Sequence, residues 1–398
     1  MHIVFVCREY PPSLRGGGIA SYIKEIAHGM CQAGHQVTVV CASDDTRKET
    51  VQDDNGVMVI RLKNGDFIIP KVEQVSFLKK FRGWYRFHTY RKRILRTIQT
   101  LGNVDIVEVP EFGAEGYYLY KLSVPVVTRL HTPMLLDHSL FKKEKLNKSN
   151  WHYYWQGMQE FKLMKQAKYL SSCSTSLKEW AIENIGINDK YCQVIYNPIR
   201  IDQWNKYKWT QQHHRTKSIL FAGTICDWKG CGDLAEACRL LHEEVPSLSF
   251  QLNLVGKTGD YANELTKKYG KYGWFNLTGK VAREKLMEMY TTADLICFPS
   301  WWENMPMVCI EAMLCGGIVL GSNSGGMSEI ILDGDNGFLL SPQQPEMWSK
   351  KIREILMMEE YKLTQISSKA ISRIKTQFST QTIISETLTF YKQILDKQ

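Results

Sequence analysis

Short apolar runs alternate with helical stretches along the whole chain, and that alternation leaves few folds open. Strand-like runs at 3–7, 36–41, 57–62, 104–109, 124–130, 169–173 and 193–196 form a first series. A second series occupies 218–223, 250–255, 275–278, 295–298, 318–321 and 337–340. Between the first two runs, Ile19, Tyr22, Ile23, Ile26, Ala27 and Met30 recur at the period of a helix, and Gly34 stops it. Strand, helix and strand joined by short connections imply parallel sheets with right-handed crossovers. A polar stretch, 205–217, separates the two series and reads as a linker. The expected architecture is α/β, with two Rossmann-like doubly wound domains. The first spans 1–204 and the second 205–378, and a last helix at about 379–398 returns to the first. Two such domains facing each other would leave a deep ligand cleft at the carboxyl ends of their strands.

Composition narrows the class further. The 398 residues suffice for a core in each domain, and no apolar run is long enough to span a bilayer. The first seven residues are apolar and run into Arg8 and Glu9, which reads as a first core strand rather than a signal peptide. Eleven scattered cysteines include no C-x-x-C pair, so they read as buried, reduced thiols of a cytoplasmic protein. A net charge of +9 suits an anionic partner: a phosphorylated ligand, membrane headgroups or nucleic acid. No nucleic-acid-binding motif accompanies that charge, so nucleic acid is not expected.

Four short constellations carry the chemistry. Gly16, Gly17 and Gly18 stand between the first strand and the first helix. Glycines there admit positive φ and close backbone approach, and a helix N-terminus offers N–H groups to phosphate. The loop is neither G-x-G-x-x-G nor a P-loop, and a ligand-free turn is its plain alternative. Glu303 and Glu311 are eight residues apart, one on a loop and one inside an apolar helix running to about Leu314. Asn304 is placed to cap that helix and Pro306 to open it, while the amides of Met307 and Val308 would face an anion. Two solvated surface glutamates are the plain alternative. Lys229 comes after a strand that ends at Gly223 and Thr224, where an ammonium group can meet a leaving phosphate. His131 ends another strand and is either a cleft residue or a structural histidine. His213 and His214 lie in the linker with no third ligand at metal spacing.

A fifth stretch, 77–93, is basic and aromatic. Lys79, Lys80, Arg82 and Arg86 on a helix could dock on an anionic leaflet, or could line an ordinary solvated face.

In this order and spacing the segments resemble the retaining GT-B glycosyltransferases of family four, over nearly the whole chain. The resemblance rests on the glycine loop with Gly34-His35-Gln36-Val37-Thr38, on Asn197-Pro198-Ile199-Arg200-Ile201-Asp202, and on Val255-Gly256-Lys257-Thr258-Gly259. It also rests on the E-x7-E pair and on Gly325-Gly326-Met327-Ser328-Glu329-Ile330 with Asp333-Gly334-Asp335-Asn336-Gly337-Phe338. It implies that Glu311 holds the nucleotide ribose and Glu303 the donor sugar. Lys229 would bind the diphosphate beside Gly17 and Gly18, His131 would lie near the transferred sugar, and Lys280 and Val281 would meet the base. Where the family often has a second cation, this chain has Thr224, so either Arg15 or Arg129 assists Lys229 or leaving-group stabilisation is weaker.

The activity implied by this resemblance is that of a retaining hexosyltransferase with no cofactor. No metal ion is expected, so protein groups would take its place. The donor would be a nucleotide sugar, with uridine as the implied base. The acceptor would be a glycan or a lipid-linked sugar in cell-surface polysaccharide synthesis, reached from the inner face of the membrane. An epimerase or a phosphorylase of the same fold, and a non-catalytic nucleotide-sugar binder, are the alternatives.

Overall fold

The computed structural model describes residues 1–14, 16–44, 48–63, 65, 77–136, 151–210 and 216–397, with the side chains of 77–84 and 151–153 excepted. The chain divides into two compact units. Unit 1 comprises Met1–Pro198 with Thr380–Gln398, and unit 2 comprises Ile199–Ser379. The division thus falls six residues ahead of the polar stretch expected to mark it. Ile199 already bridges to Ser379, and its N–H donates to Phe378, so the chain joins unit 2 before its composition turns polar.

Unit 1 is built on eight strands: β1 (His2–Cys7), β2 (Gln36–Ala42), β3 (Thr50–Asp54), β4 (Val57–Leu62), β5 (Ile106–Pro110), β6 (Val126–Leu130), β7 (Tyr169–Ser172) and β8 (Cys192–Val194). Their order is β3-β4-β2-β1-β5-β6-β7-β8. Every pairing is parallel except β3 with β4. The helices are α1 (Gly18–Gln32), α2 (Phe77–Thr100), α3 (Met134–Leu136), α4 (Trp151–Gln166) and α5 (Thr175–Ile185). The sheet is apolar on both faces, as a parallel sheet covered by helices must be.

Unit 2 carries β9 (Lys217–Ala222), β10 (Phe250–Val255), β11 (Phe275–Gly279), β12 (Leu295–Phe298), β13 (Val319–Ser322) and β14 (Phe338–Leu340), in the order β11-β10-β9-β12-β13-β14. All its pairings are parallel. Its helices are α6 (Cys231–Glu244), α7 (Asp260–Tyr269), α8 (Arg283–Thr292), α9 (Met307–Leu314), α10 (Met327–Ile330), α11 (Pro345–Leu356) and α12 (Glu360–Gln377).

In both sheets the strand order reverses once, between β1 and β5 in unit 1 and between β9 and β12 in unit 2. Connections leave such a pair in opposite directions and open a crevice above the strand ends, which is where α/β sheets bind ligands.

The last helix, α13 (Thr380–Leu395), belongs to unit 1. Ile383, Ile384, Tyr391 and Ile394 enter the same core cluster as Tyr22, Ile23 and Ile26 of α1. The fit is close: a Cβ on Gly29 would stand 2.0 Å from Ile384 Cδ1. Tyr391 also donates to the buried Glu108 carboxylate at 2.7 Å, and Tyr22 donates to its other oxygen at 2.8 Å. All eleven cysteines are free thiols, buried except for Cys31 and Cys226.

Candidate active site residues in the two units

In unit 2 the reversal point brings two sequence-distant loops into contact. β9 is followed by Gly223 and then a short 3-10 turn, Asp227–Lys229, and β12 is followed by the loop 299–306. Lys229 Nζ pairs directly with Glu303 Oε1, and Ser300 Oγ donates to the same oxygen at 3.0 Å. The ammonium group also lies 4.3 Å from the Trp228 ring centroid, in cation–π range. Both side chains are largely covered, at 17% and 14% exposure, so Glu303 is not a solvated surface glutamate.

Two glycines hold this contact. Gly230 has φ +71°, and a Cβ there would meet Pro299 O at 2.2 Å. Gly325 has φ +64°, and a Cβ there would meet Glu303 O at 2.1 Å, while Gly326 N–H donates to that carbonyl at 2.8 Å. Gly325→Ala is therefore expected to cost roughly 1–3 kcal/mol of stability through left-handed strain, and to displace Glu303. Denaturant midpoints measure the first effect and turnover the second; an unchanged midpoint would show that the loop has slack.

α9 is apolar almost throughout, which buries it, and Glu311 sits one turn inside. The glutamate is 17% exposed and pairs with Arg283 at 3.3 Å. Burial pushes its carboxyl up to about 7, with Arg283 opposing the shift. The expected Asn304 cap is not made. Pro306 occupies the capping position, and Asn304 Oδ1 accepts Trp302 Nε1–H at 2.9 Å instead. The first intrahelical bonds run from Cys309 and Ile310 to Pro306 O, so helix geometry leaves the Met307 and Val308 amides at the open end. Thr224 and Lys280 are exposed and Val281 is half-buried; the latter two come after β11, two strands from β9.

In unit 1, Gly16, Gly17 and Gly18 come after β1 at its reversal point. None of the three adopts the positive φ expected of them; Gly17 is extended, at φ −169°, and precedes α1. What the glycines provide is room, since a Cβ on Gly16 or Gly18 would meet nothing within 4 Å. Arg15 lies outside the described residues, as do His213 and His214 and the side chains of Lys79, Lys80 and Arg82; Arg86 is exposed. Arg129, the other cation considered for the diphosphate, is buried and donates through Nη2 within unit 1. It donates to Ile195 O at 2.8 Å and Asn197 Oδ1 at 3.0 Å, and its guanidinium lies 4.3 Å from the Tyr22 ring centroid.

His131 ends β6 and is 6% exposed, edge-on to Tyr22 with centroids 5.0 Å apart. Burial, and then the neighbouring Arg129 charge, hold its imidazole well below the usual histidine range, so it is neutral at pH 7. The carboxylate behind it had no clear sequence signal. Glu111 Oε1 accepts the N–H groups of His131 at 2.9 Å and Thr132 at 2.7 Å. Among the described residues, no three His, Cys, Asp or Glu side chains are grouped to hold a metal ion.

Residues 16–203 match the family model of glycosyltransferase family 4, and residues 202–373 match that of glycosyl transferases group 1. The chain belongs to the family 4, group 1 glycosyltransferases. A related uncharacterised glycosyltransferase of Methanocaldococcus jannaschii is 25% identical over 98% of both chains. Among solved structures, sucrose-phosphate synthase from Thermosynechococcus elongatus matches with a TM-score of 0.78 at 17% identity, covering 100% of both chains. The Anabaena protein HepE in complex with UDP-glucose matches at 0.68 and 18%, again over 100% of both. This glycosyltransferase therefore has the GT-B fold, with two Rossmann-like units.

Proposed function

We propose that this glycosyltransferase moves a hexose, with retention and without a metal ion, from a uridine-diphosphate sugar to a glycan or lipid-linked acceptor in cell-surface polysaccharide synthesis. The observation that carries the reading is the Lys229–Glu303 contact at the strand-order reversal of unit 2, in the loop that leads into α9. As the glycosidic bond breaks, negative charge grows on the diphosphate and positive charge on the sugar. Lys229 and the amides of Met307 and Val308 supply the donors that meet the first, with Gly16, Gly17, Gly18 and Gly223 leaving space for the phosphates. Glu303 faces the sugar hydroxyls and Glu311 the ribose, while Lys280 and Val281 stand at the base. His131, neutral at its strand end, serves the transferred sugar. The UDP-glucose bound to HepE supports a uridine donor.

Exposed Arg86 is consistent with a peripheral contact to the inner membrane face; among the described residues no helix is long and apolar enough to cross a membrane.

The test is UDP-glucose binding as a function of pH, because that ligand's diphosphate does not itself titrate near neutrality. With Glu311 at about 7, its carboxyl is mostly protonated at pH 6 and mostly ionised at pH 8. Only the ionised form accepts from both ribose hydroxyls, so Kd is expected to fall about tenfold from pH 6 to pH 8. Glu311→Gln should weaken binding and flatten that slope. A pH-independent Kd in the unsubstituted chain would remove Glu311 from the site. Release of an epimerised nucleotide sugar, or sugar release that requires phosphate, would replace transfer by the corresponding alternative.

A further inference from the structure

The segments after β5 and β6 are tied together through two buried carboxylates. Glu111 Oε1 takes the N–H groups of His131 and Thr132 at 2.9 and 2.7 Å. Glu160, inside α4, reaches both loops at once: Oε1 accepts Gly113 N–H and Oε2 accepts Met134 N–H, each at 2.7 Å. Both glutamates are fully buried. Four backbone amides on the two loops are thus satisfied by two side chains, and one of those side chains comes from a third element.

We propose that Glu160, together with Glu111, is a positioning residue for sugar transfer, a clamp that fixes the His131 loop against the loop after β5. The inference rests on the proposed reading of the site only through the role given to His131. Buried loop amides need partners, but a carbonyl or a water would satisfy them without burying a carboxyl group. Burial opposes ionisation here, pushing Glu111 up to about 7 and Glu160 up to about 8. An unfavourable group kept where it sets the position of a reacting side chain fits pre-organisation, because misplacement by an ångström can cost a hundredfold in rate. The fork geometry matters as well: two oxygens on one rigid group set the spacing between Gly113 and Met134.

Two substitutions in the full chain test this. Glu160→Gln keeps the volume but replaces one acceptor by an NH2 group facing a backbone N–H. Met134→Pro removes the donor instead and leaves Glu160 intact, at a first helical position where proline is tolerated. Each is expected to lower kcat for UDP-glucose turnover about ten- to a hundredfold. KM should change less than kcat, and the loss of rate should exceed what any fall in the thermal midpoint explains. Hydrogen–deuterium exchange across 131–136 should rise in both. Unchanged kcat in folded variants overturns the proposal. So does loss of folded protein in step with loss of rate, which would make the carboxylate a stabiliser of unit 1 alone. Full turnover in His131→Ala, or none in the unsubstituted chain, fails the reading of the site instead, and the exchange measurement still reports on the clamp.

Discussion

Lys229→Ala is expected to lower kcat for UDP-glucose turnover by about 100- to 1,000-fold, the usual effect of removing one preorganised donor from developing charge. Its neighbours explain why little would compensate. Thr224 brings no charge to the strand end, and Arg129 is already bound to Ile195 O and Asn197 within unit 1. The ammonium group is held by Glu303 and by the Trp228 ring, so it is in place before any donor arrives. Stability should fall by about 1–3 kcal/mol, because Glu303 is largely covered and loses its charge partner while keeping Ser300 as a donor. EDTA should leave the unsubstituted rate unaltered, and magnesium should not rescue the variant. A variant within about threefold of the unsubstituted rate would move leaving-group stabilisation to other residues.

Truncation after Ser379 has the largest expected effect on folding. It strips Ile383, Ile384, Tyr391 and Ile394 from the core they share with α1 and β1. At roughly 1.5–3 kcal/mol for each buried side chain, about 6–12 kcal/mol of apolar burial is lost. A whole domain is stable by only about 5–15 kcal/mol. Glu108 would also lose the Tyr391 hydroxyl from a site with no water access, at about 1–3 kcal/mol. Calorimetry of the truncated chain should show the unit 1 transition lost or sharply lowered while that of unit 2 persists. Retention of both transitions would mean that α13 is an accessory to unit 1.

The sheets were legible because parallel strands covered on both faces read as uninterrupted apolar runs; every such run proved to be a strand, with ends shifted by one or two residues. The missed strand was β3. Its side chains are mostly exposed, so no apolar pattern marks it, yet the Asn55-Gly56 pair that joins it to β4 is a hairpin signal. Both residues take positive φ, 54° and 88°, as such a turn requires. The pairing of Lys229 with Glu303 came from no spacing rule, because adjacency of β9 and β12 is a property of strand order. Of the two properties expected of the glycine loop, positive φ is not adopted, while open space beside Gly16 and Gly18 is present. Glu160 was invisible for a different reason: a glutamate in a helix of mixed composition announces nothing until its two oxygens are seen on amides from two loops.

The discontinuity of unit 1 has a consequence for biosynthesis. α13 leaves the ribosome only after every residue of unit 2 has been made. At about 5–20 residues per second, the 181 residues of unit 2 separate the two parts of unit 1 by about 9–36 s. Over that interval the α1 face around Tyr22, Ile23 and Ile26 lacks its cover, and Glu108 lacks one phenol. Unit 1 therefore completes its core only when synthesis ends, whereas unit 2, contiguous in sequence, can complete its own sheet as it emerges.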